Sequence, residues 1–314
     1  MNRKMIINAD DAGICPCVNE AILLGAEAGV ITAAGIMPNM PFADHAVTLF
    51  REKKCSLDLG LHFCLTSGRP VSPPDEIPLL VNEQGFFRHG FVKLWMQTKL
   101  SRRQTFLEQV KHELEAQLNW LEKLGIPLLF LDSHQHIHMI PGIFERVAEL
   151  ARSRHLFLRI PDEKIGGFSR LFRRFPAWAT GSMAKKALLS WFTQKAKRRE
   201  VKPQGCRGFR EDCTDLQYHG VLDTGKFLFP AWKALLQSPD SDSGPNKVRL
   251  INIHPALEDS QNIHPSELCC SSADLVFLRS PHRFGELEAV LSREFQELCQ
   301  KQQFQIVGFH DMSG

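Results

Sequence analysis

Short apolar runs that stop abruptly on ionisable residues recur along this sequence, and they restrict its fold more than any other feature. "KMIINADD" (4–11) closes on two aspartates and "SLDLGLHFCLT" (56–66) carries His62. "LLFLDSH" (128–134) closes on Asp132 and His134, "LFLRIP" (156–161) on Arg159, "VRLINIHP" (248–255) on His254 and "FQIVGFHD" (304–311) on His310. "ITAAGIMPN" (31–39) is a further apolar run, ending on the polar Asn39. Each is apolar along its body rather than alternating, the pattern of a strand covered on both faces. Helical stretches lie between them. In "SRRQTFLEQVKHELEAQLNWLEKLGIP" (101–127), Phe106, Leu107, Val110, Leu114, Leu118 and Leu121 recur at three and four, and Gly125 ends the stretch. "CVNEAILLGAEAGV" closes at Gly29, "IFERVAELARSRH" follows the His-rich run, and "FGELEAVLSREFQELCQKQQ" reads as one late helix. Strand, helix and strand with short connections predict parallel βαβ units.

The polar residues gather at the C-terminal ends of the runs. Both a (β/α) barrel and an open doubly wound sheet bind ligands there. Polar ends on this many strands converge more easily around a ring than along an edge. The expected fold is therefore α/β, an imperfect (β/α) barrel. Residues 162–247 lack the rhythm and read as an insertion. The whole chain, 1–314, reads as a single domain with a basic aromatic insertion at about 165–205.

With 43% hydrophobic residues the chain can bury a substantial core, and no run of 18 apolar residues predicts a membrane span. The N-terminus turns acidic at Asp10 before an apolar signal region develops, which favours the cytoplasm. The nine cysteines have irregular spacing, and "CPC" and "CC" lack the pairing typical of structural zinc, so reduced and incidental thiols are expected. The net charge of +3 is uneven: residues 168–202 hold ten Lys or Arg against the single Glu200. Those cations interleave with Phe168, Phe172, Phe175, Trp178, Trp191 and Phe192. Such a segment suits a pair of amphipathic helices with solvated outer faces, or peripheral contact with a membrane. Nucleic acid is not an expected partner, because the basic surplus is confined to that segment. A homodimer is the default expectation for this size.

The ionisable residues form recognisable groups. Adjacent Asp10 and Asp11 point to opposite sides if their strand persists, or splay into the cavity if it has just ended. Two ionised neighbours repel unless a cation intervenes. An Asx-type turn in "NADDAG" is the plainer alternative. A lone His62 among apolar residues is more often a satisfied core histidine. Asp132, His134 and His136 alternate, so on a strand they share one face. An oxygen donor with two imidazoles suits Zn²⁺, Mn²⁺ or Fe²⁺, whereas Mg²⁺ wants more oxygen from water. His254 faces the same rim or acts as a cap.

Taken together, "INADDAG", "LGLHFCLTSGRPV", "LDSHQHIHMIP", "LRIP", "INIHP" and "RFGELEAV" resemble the YdjC-like carbohydrate deacetylases, a family that includes chitooligosaccharide deacetylase. The resemblance runs nearly end to end, and the first three motifs are the specific ones. It implies a distorted (β/α) barrel of the glycoside hydrolase/deacetylase type with one divalent cation, Mg²⁺ the first choice and Zn²⁺ or Mn²⁺ alternatives. It places that cation on Asp11, His62 and His134, makes Asp10 the catalytic base, and makes His254 the acid by analogy. Asp132, His136, His138 and Arg159 match positions that support the site or touch substrate. The implied reaction is hydrolysis of an N-acetyl group on an amino sugar, oligosaccharide or glycoconjugate. Ala12 and Ala256 depart from the family's usual aromatic and glycine, which bears on substrate shape, and segment 168–202 matches no family feature. "GRPVSPPDEIPLLVNEQGFFR" resembles the hopanoid-biosynthesis-associated branch, whose substrates are lipid-linked. The rival readings are an amidohydrolase-type or phosphoesterase enzyme, and a sugar- or membrane-binding module without activity.

Overall fold

The computed structural model describes residues 3–53, 56–161, 188–189, 191–193, 217–220, 248–258 and 272–312. The chain forms β1 (Arg3–Ala12), α1 (Pro16–Glu27), β2 (Ala33–Ile36), α2 (Ala43–Glu52), β3 (Asp58–Phe63), α3 (Phe91–Gln97), α4 (Arg103–Lys123) and β4 (Leu128–Ser133). A 3-10 turn (His134–Met139), α5 (Ile143–Ser153) and β5 (Phe157–Leu158) follow. After β6 (Gln217–Gly220) and β7 (Val248–Ile253) come α6 (Ser272–Leu278), α7 (Pro281–Leu291), α8 (Arg293–Lys301) and β8 (Phe304–Ile306).

The strands form one sheet in the order β5-β4-β3-β2-β1-β7-β6, and every ladder among them is parallel. β1 pairs with β7 along residues 4–9, so its other edge must be shared between β8 at its start and β2 at its end. The sheet curls. Arg159, one residue beyond β5, hydrogen-bonds Asn252 on β7 at 2.5 Å, although β4, β3, β2 and β1 lie between them in the sheet order. This is the distorted (β/α) barrel that the sequence predicts.

Period-2 alternation divides the strands into two faces. Ile7, Leu61, Leu131 and Ile251 face outward, in one core with Ile22, Phe50, Leu114, Val147 and Val290 of the surrounding helices. Ile6, Ala33, Phe130, Phe157, Val248 and Leu250 face inward and form a separate cluster. The chain end closes that cluster from below, where Phe309 stacks on Phe130 with ring centroids 4.6 Å apart. The next inward positions are polar. Asn8 and Asn252 share a register, as do His62 and Asp132. Apolar residues thus plug the bottom of the barrel and ionisable ones fill its mouth. Two glycines make room inside: a Cβ on Gly60 would lie 2.5 Å from the Phe130 ring, and one on Gly35 would lie 3.0 Å from His62.

Three expectations are corrected. The late helix is two, α7 and α8, because Ser292 takes an extended backbone and its hydroxyl accepts from Phe295 N at 3.1 Å, capping a new start. Cys15 and Cys17 are joined in a disulfide rather than reduced, whereas Cys64 and Cys299 are free and buried. Asp132, His134 and His136 do not share a strand face: β4 ends at Ser133, and Gln135 and His136 adopt left-handed φ of 56° and 57°. The short helices α2, α3 and α6 were not expected from periodicity. Most of the basic segment 168–202, like the remainder of the insertion at 165–205, lies outside the described residues.

The inner-face packing gives a direct test. Gly60→Ala should destabilise the protein by about 1–3 kcal/mol through overpacking against Phe130. Adding Phe130→Leu should recover part of the lost urea midpoint. Equal midpoints for wild type and Gly60→Ala would show that the barrel interior tolerates the methyl group.

Candidate active site

The chemistry at the mouth of the barrel depends on where two adjacent aspartates point. A regular strand would send Asp10 inward and Asp11 outward. Instead the β1–β2 register shifts between Ala9 and Ala12, and Asp11 takes φ 68°. Aspartate tolerates the left-handed region better than most side chains, and the bulge turns both carboxylates into the barrel. Asp10 Oδ1 lies 3.7 Å from His62 Nδ1, and Asp11 Oδ1 lies 3.6 Å from His62 Nε2.

Asp11 is fully buried. His134 Nδ1 is 3.0 Å from its Oδ1, and Arg283 Nη1 on α7 donates to its Oδ2 at 3.0 Å. His62 and His134 meet edge to face with centroids 5.8 Å apart. Each imidazole also has a second carboxylate: His62 Nδ1 is 2.5 Å from Asp132 Oδ1, and His134 Nε2 is 3.0 Å from Asp274 Oδ1 on α6. One donor atom each from Asp11, His62 and His134 lie within 4.8 Å of one another, and so do Asp10, His62 and Asp132.

Asp10 is not left without partners. Arg159 grips it with two bonds of 2.9 Å, Asn8 donates to Oδ1 at 2.8 Å, and Asn252 donates to Oδ2 at 2.6 Å. The same guanidinium is 2.8 Å from Asp132 Oδ2. His254 Nε2 lies 3.7 Å from Asp10 Oδ2, while its backbone N–H donates to Glu286 at 2.6 Å and its ring packs edge-on against Phe277. At 15% its side chain is the most open of the group. Both ring nitrogens of His138 are taken up by the chain itself: Nδ1 meets Ser133 Oγ and Nε2 donates to the Arg159 carbonyl at 2.8 Å, which holds the backbone at Arg159. His136 is buried with its ring 6.4 Å from that of His138.

Charge explains the titration. Burial pushes the Asp10 carboxyl up, but the Arg159 guanidinium and then the His62 ring outweigh it, holding Asp10 below the ordinary carboxylate range. Asp11 is likewise lowered, because Arg283 and His134 overcome its burial. Burial pulls the His62 and His134 rings down, yet Asp10 and Asp132 raise the first and Asp274 and Asp11 raise the second. Burial and the Arg159 charge take His138 down to about 3.

The sequence reading placed Asp10, Asp11, His62, His134, Asp132, Arg159 and His254 together, and all seven meet here. It missed Asn8, Asn252, Asp274, Arg283 and Glu286. Asn8 and Asn252 stand two residues before Asp10 and His254, so strand phase alone would have found them. Arg283 and Glu286 lie within "RFGELEAV" (283–290), where no periodic signal distinguishes them. Asp274 opens a short helix that periodicity did not predict.

The family model described as YdjC-like protein matches residues 4–301. The chain belongs to the YdjC-like family. Among curated relatives, the carbohydrate deacetylase of Geobacillus stearothermophilus is 39% identical over 160 residues, which is 51% of this chain and 60% of that protein. The chitooligosaccharide deacetylase of Salmonella typhimurium is 36% identical over 166 residues, 52% of this chain and 62% of that protein. The match therefore spans about three fifths of the length of these relatives. A crystal structure from Enterococcus faecalis V583, provisionally named a cellobiose-phosphate cleavage protein, aligns over 99% of both chains with a TM-score of 0.64 and 22% identity, a likeness of fold alone.

Arg159→Gln should cost about 3–5 kcal/mol at neutral pH, because it leaves two buried carboxylates without their cation. The lowered aspartates contribute stability that is complete above their ordinary value of 3.8 and is lost as pH falls through the folded values. The raised histidines contribute stability that is complete below 6.5 and is lost as pH rises through theirs. With divalent ions chelated, urea midpoints of the wild type should peak between those values. The deficit of Arg159→Gln should shrink toward acid pH, as Asp10 protonates.

Proposed function

We propose that this YdjC-like protein is a metal-dependent carbohydrate deacetylase that removes the acetyl group of an N-acetylated amino sugar. The observation that carries the reading is the convergence of Asp11, His62 and His134 beside a second aspartate, Asp10, in a chain whose relatives are named carbohydrate and chitooligosaccharide deacetylases.

The residues fit a divalent cation on chemical grounds. Asp132 occupies His62 Nδ1 and leaves Nε2, Asp274 occupies His134 Nε2 and leaves Nδ1, and Arg283 occupies Asp11 Oδ2 and leaves Oδ1. A carboxylate behind a ligating imidazole fixes its tautomer and raises its basicity. The charge balance agrees. Asp10 and Asp132 share the Arg159 guanidinium and Asp11 pairs with Arg283, so the cluster is rich in carboxylate and suits a cation. Asp11, His62 and His134 would hold the ion, with Mg²⁺ the family expectation and Zn²⁺ or Mn²⁺ suited to the two imidazoles. Bound there, a divalent cation supplies Lewis acidity for the acetamide oxygen and for an attacking water.

The chain's own groups then divide the proton work. Asp10, kept ionised by Arg159, accepts the proton of the attacking water. The Arg159 fork and the two asparagines aim it, at the expense of its basicity. His254, the most open of the group, donates to the departing amine. Asp132 and Asp274 orient the two imidazoles, and Asn8 and Asn252 hold the Asp10 carboxylate in plane. The first product is acetate and the second a free amino sugar. Whether the sugar is an oligosaccharide or is carried on a lipid is a matter of specificity outside this cluster.

Acetate release from N-acetylated sugars, after chelation and metal add-back, tests the reading. Asp10→Asn should lose about 10²–10⁴ of turnover while metal content, read by elemental analysis, is kept. Asp11→Ala, His62→Ala and His134→Ala should lose the metal itself. Asp274→Asn should weaken metal affinity by about 10–100-fold. An Asp10→Asn protein as active as wild type would remove Asp10 as the base, and acetate release unaffected by exhaustive chelation would remove the metal.

A further inference from the structure

Away from the site, α3 and the turn that follows it expose a row of apolar side chains. Val92, Met96 and Leu100 recur at every fourth position and are 45%, 55% and 50% exposed. The helix is not loose: Phe91 and Leu94 are buried, and Phe91 and Trp95 hold the Phe192 ring at centroid distances of 6.2 and 5.8 Å. Phe192 in turn packs against Trp191, with ring centroids 5.3 Å apart and half of Trp191 exposed.

Cations surround these residues. From Glu83 to Glu108 the sequence carries Arg88, Lys93, Lys99, Arg102 and Arg103 and no acidic residue between. Lys93, Lys99, Arg102 and Arg103 are exposed and make no ion pair among the described residues. In sequence, Trp191 belongs to the stretch 168–202, which carries ten Lys or Arg and one acidic residue, Glu200. The row also lies on the side of the candidate active site. α3 packs against the turn that carries His134, and Thr193 Oγ donates to the Pro161 carbonyl at 2.9 Å, two residues past Arg159.

We propose that Val92, Met96, Leu100 and Trp191, rimmed by Lys93, Lys99, Arg102 and Arg103, form a docking surface for an anionic lipid bilayer. Aliphatic side chains with an indole suit the boundary between acyl chains and headgroups, and the surrounding cations suit an anionic headgroup layer. A second copy of the chain would set these cations against their own like. A nucleic acid would find neither stacking faces nor hydrogen-bonding groups on Val92, Met96 and Leu100. No helix among the described residues is long and apolar enough to cross a membrane. Docking of this kind sets the cluster around Asp11 beside the lipid surface.

The test is cosedimentation of the whole chain with sucrose-loaded vesicles. Phosphatidylglycerol-containing vesicles should pellet the protein, pure phosphatidylcholine vesicles should not, and added salt should weaken the binding. The triple variants V92S/M96S/L100S and K93E/K99E/R102E should each lower the partition coefficient by about tenfold or more. Both should keep the wild-type circular dichroism and the wild-type metal content. Wild type that ignores anionic vesicles overturns the proposal, and so do triple variants that bind them as wild type does. A change in oligomeric state on sedimentation velocity, with vesicle binding unaltered, would assign the face to a second copy and likewise overturn it. Vesicle binding is read without turnover, so its outcome stands apart from that of the deacetylase reading.

Discussion

Arg159 sits 5% exposed at the end of β5, and its two terminal nitrogens reach Asp10 on β1, Asp132 on β4 and Asn252 on β7. No other group described here ties so many strands together. Burying a guanidinium is costly, and the attraction of one carboxylate does not always offset it. Here two carboxylates share it, and the guanidinium keeps the buried Asp10 ionised. One guanidinium thus bridges strands across the curled sheet and holds Asp10 ionised. His138 extends it by taking the Arg159 carbonyl while its own ring stays neutral, with a pKa of about 3.

The mouth is built as nested pairs around that centre. Asp132 stands behind His62, Asp274 behind His134, and Arg283 behind Asp11, so each inner donor atom has its other side occupied. Such an arrangement leaves few rotamers open to the inner side chains, which is what preorganises a site before its ligand arrives. The apolar plug below matters equally. Phe130, Phe157 and Phe309 exclude water from the barrel floor, and a low dielectric strengthens every charge interaction above it.

Much of this was legible in the residue order. Apolar runs ending at Asp10, His62, Asp132 and His254 determined parallel strands with polar C-terminal ends, since a strand covered on both faces has only its end to offer to a ligand. Helical spacing marked α1, α4 and α5, and Gly29 and Gly125 marked where helices stop. The family motifs then brought distant residues into one expected group. Periodicity was mute on α3 and α6, whose few residues give too short a repeat to register.

Tertiary structure alone decided the rest. Alternation assigned His136 to the face of Asp132, but the chain leaves the strand at Ser133, and two left-handed residues rotate His136 toward His138. The bulge that swings Asp11 inward depends on how β1 pairs with β2, which local propensity does not encode. Asp274 and Arg283 come from more than a hundred residues beyond His134 and meet it and Asp11 only because α6 and α7 pack over the mouth. A sequence records which groups can bear charge and where strands end. Which charge meets which is fixed only when the sheet curls and distant segments are forced to share one buried volume.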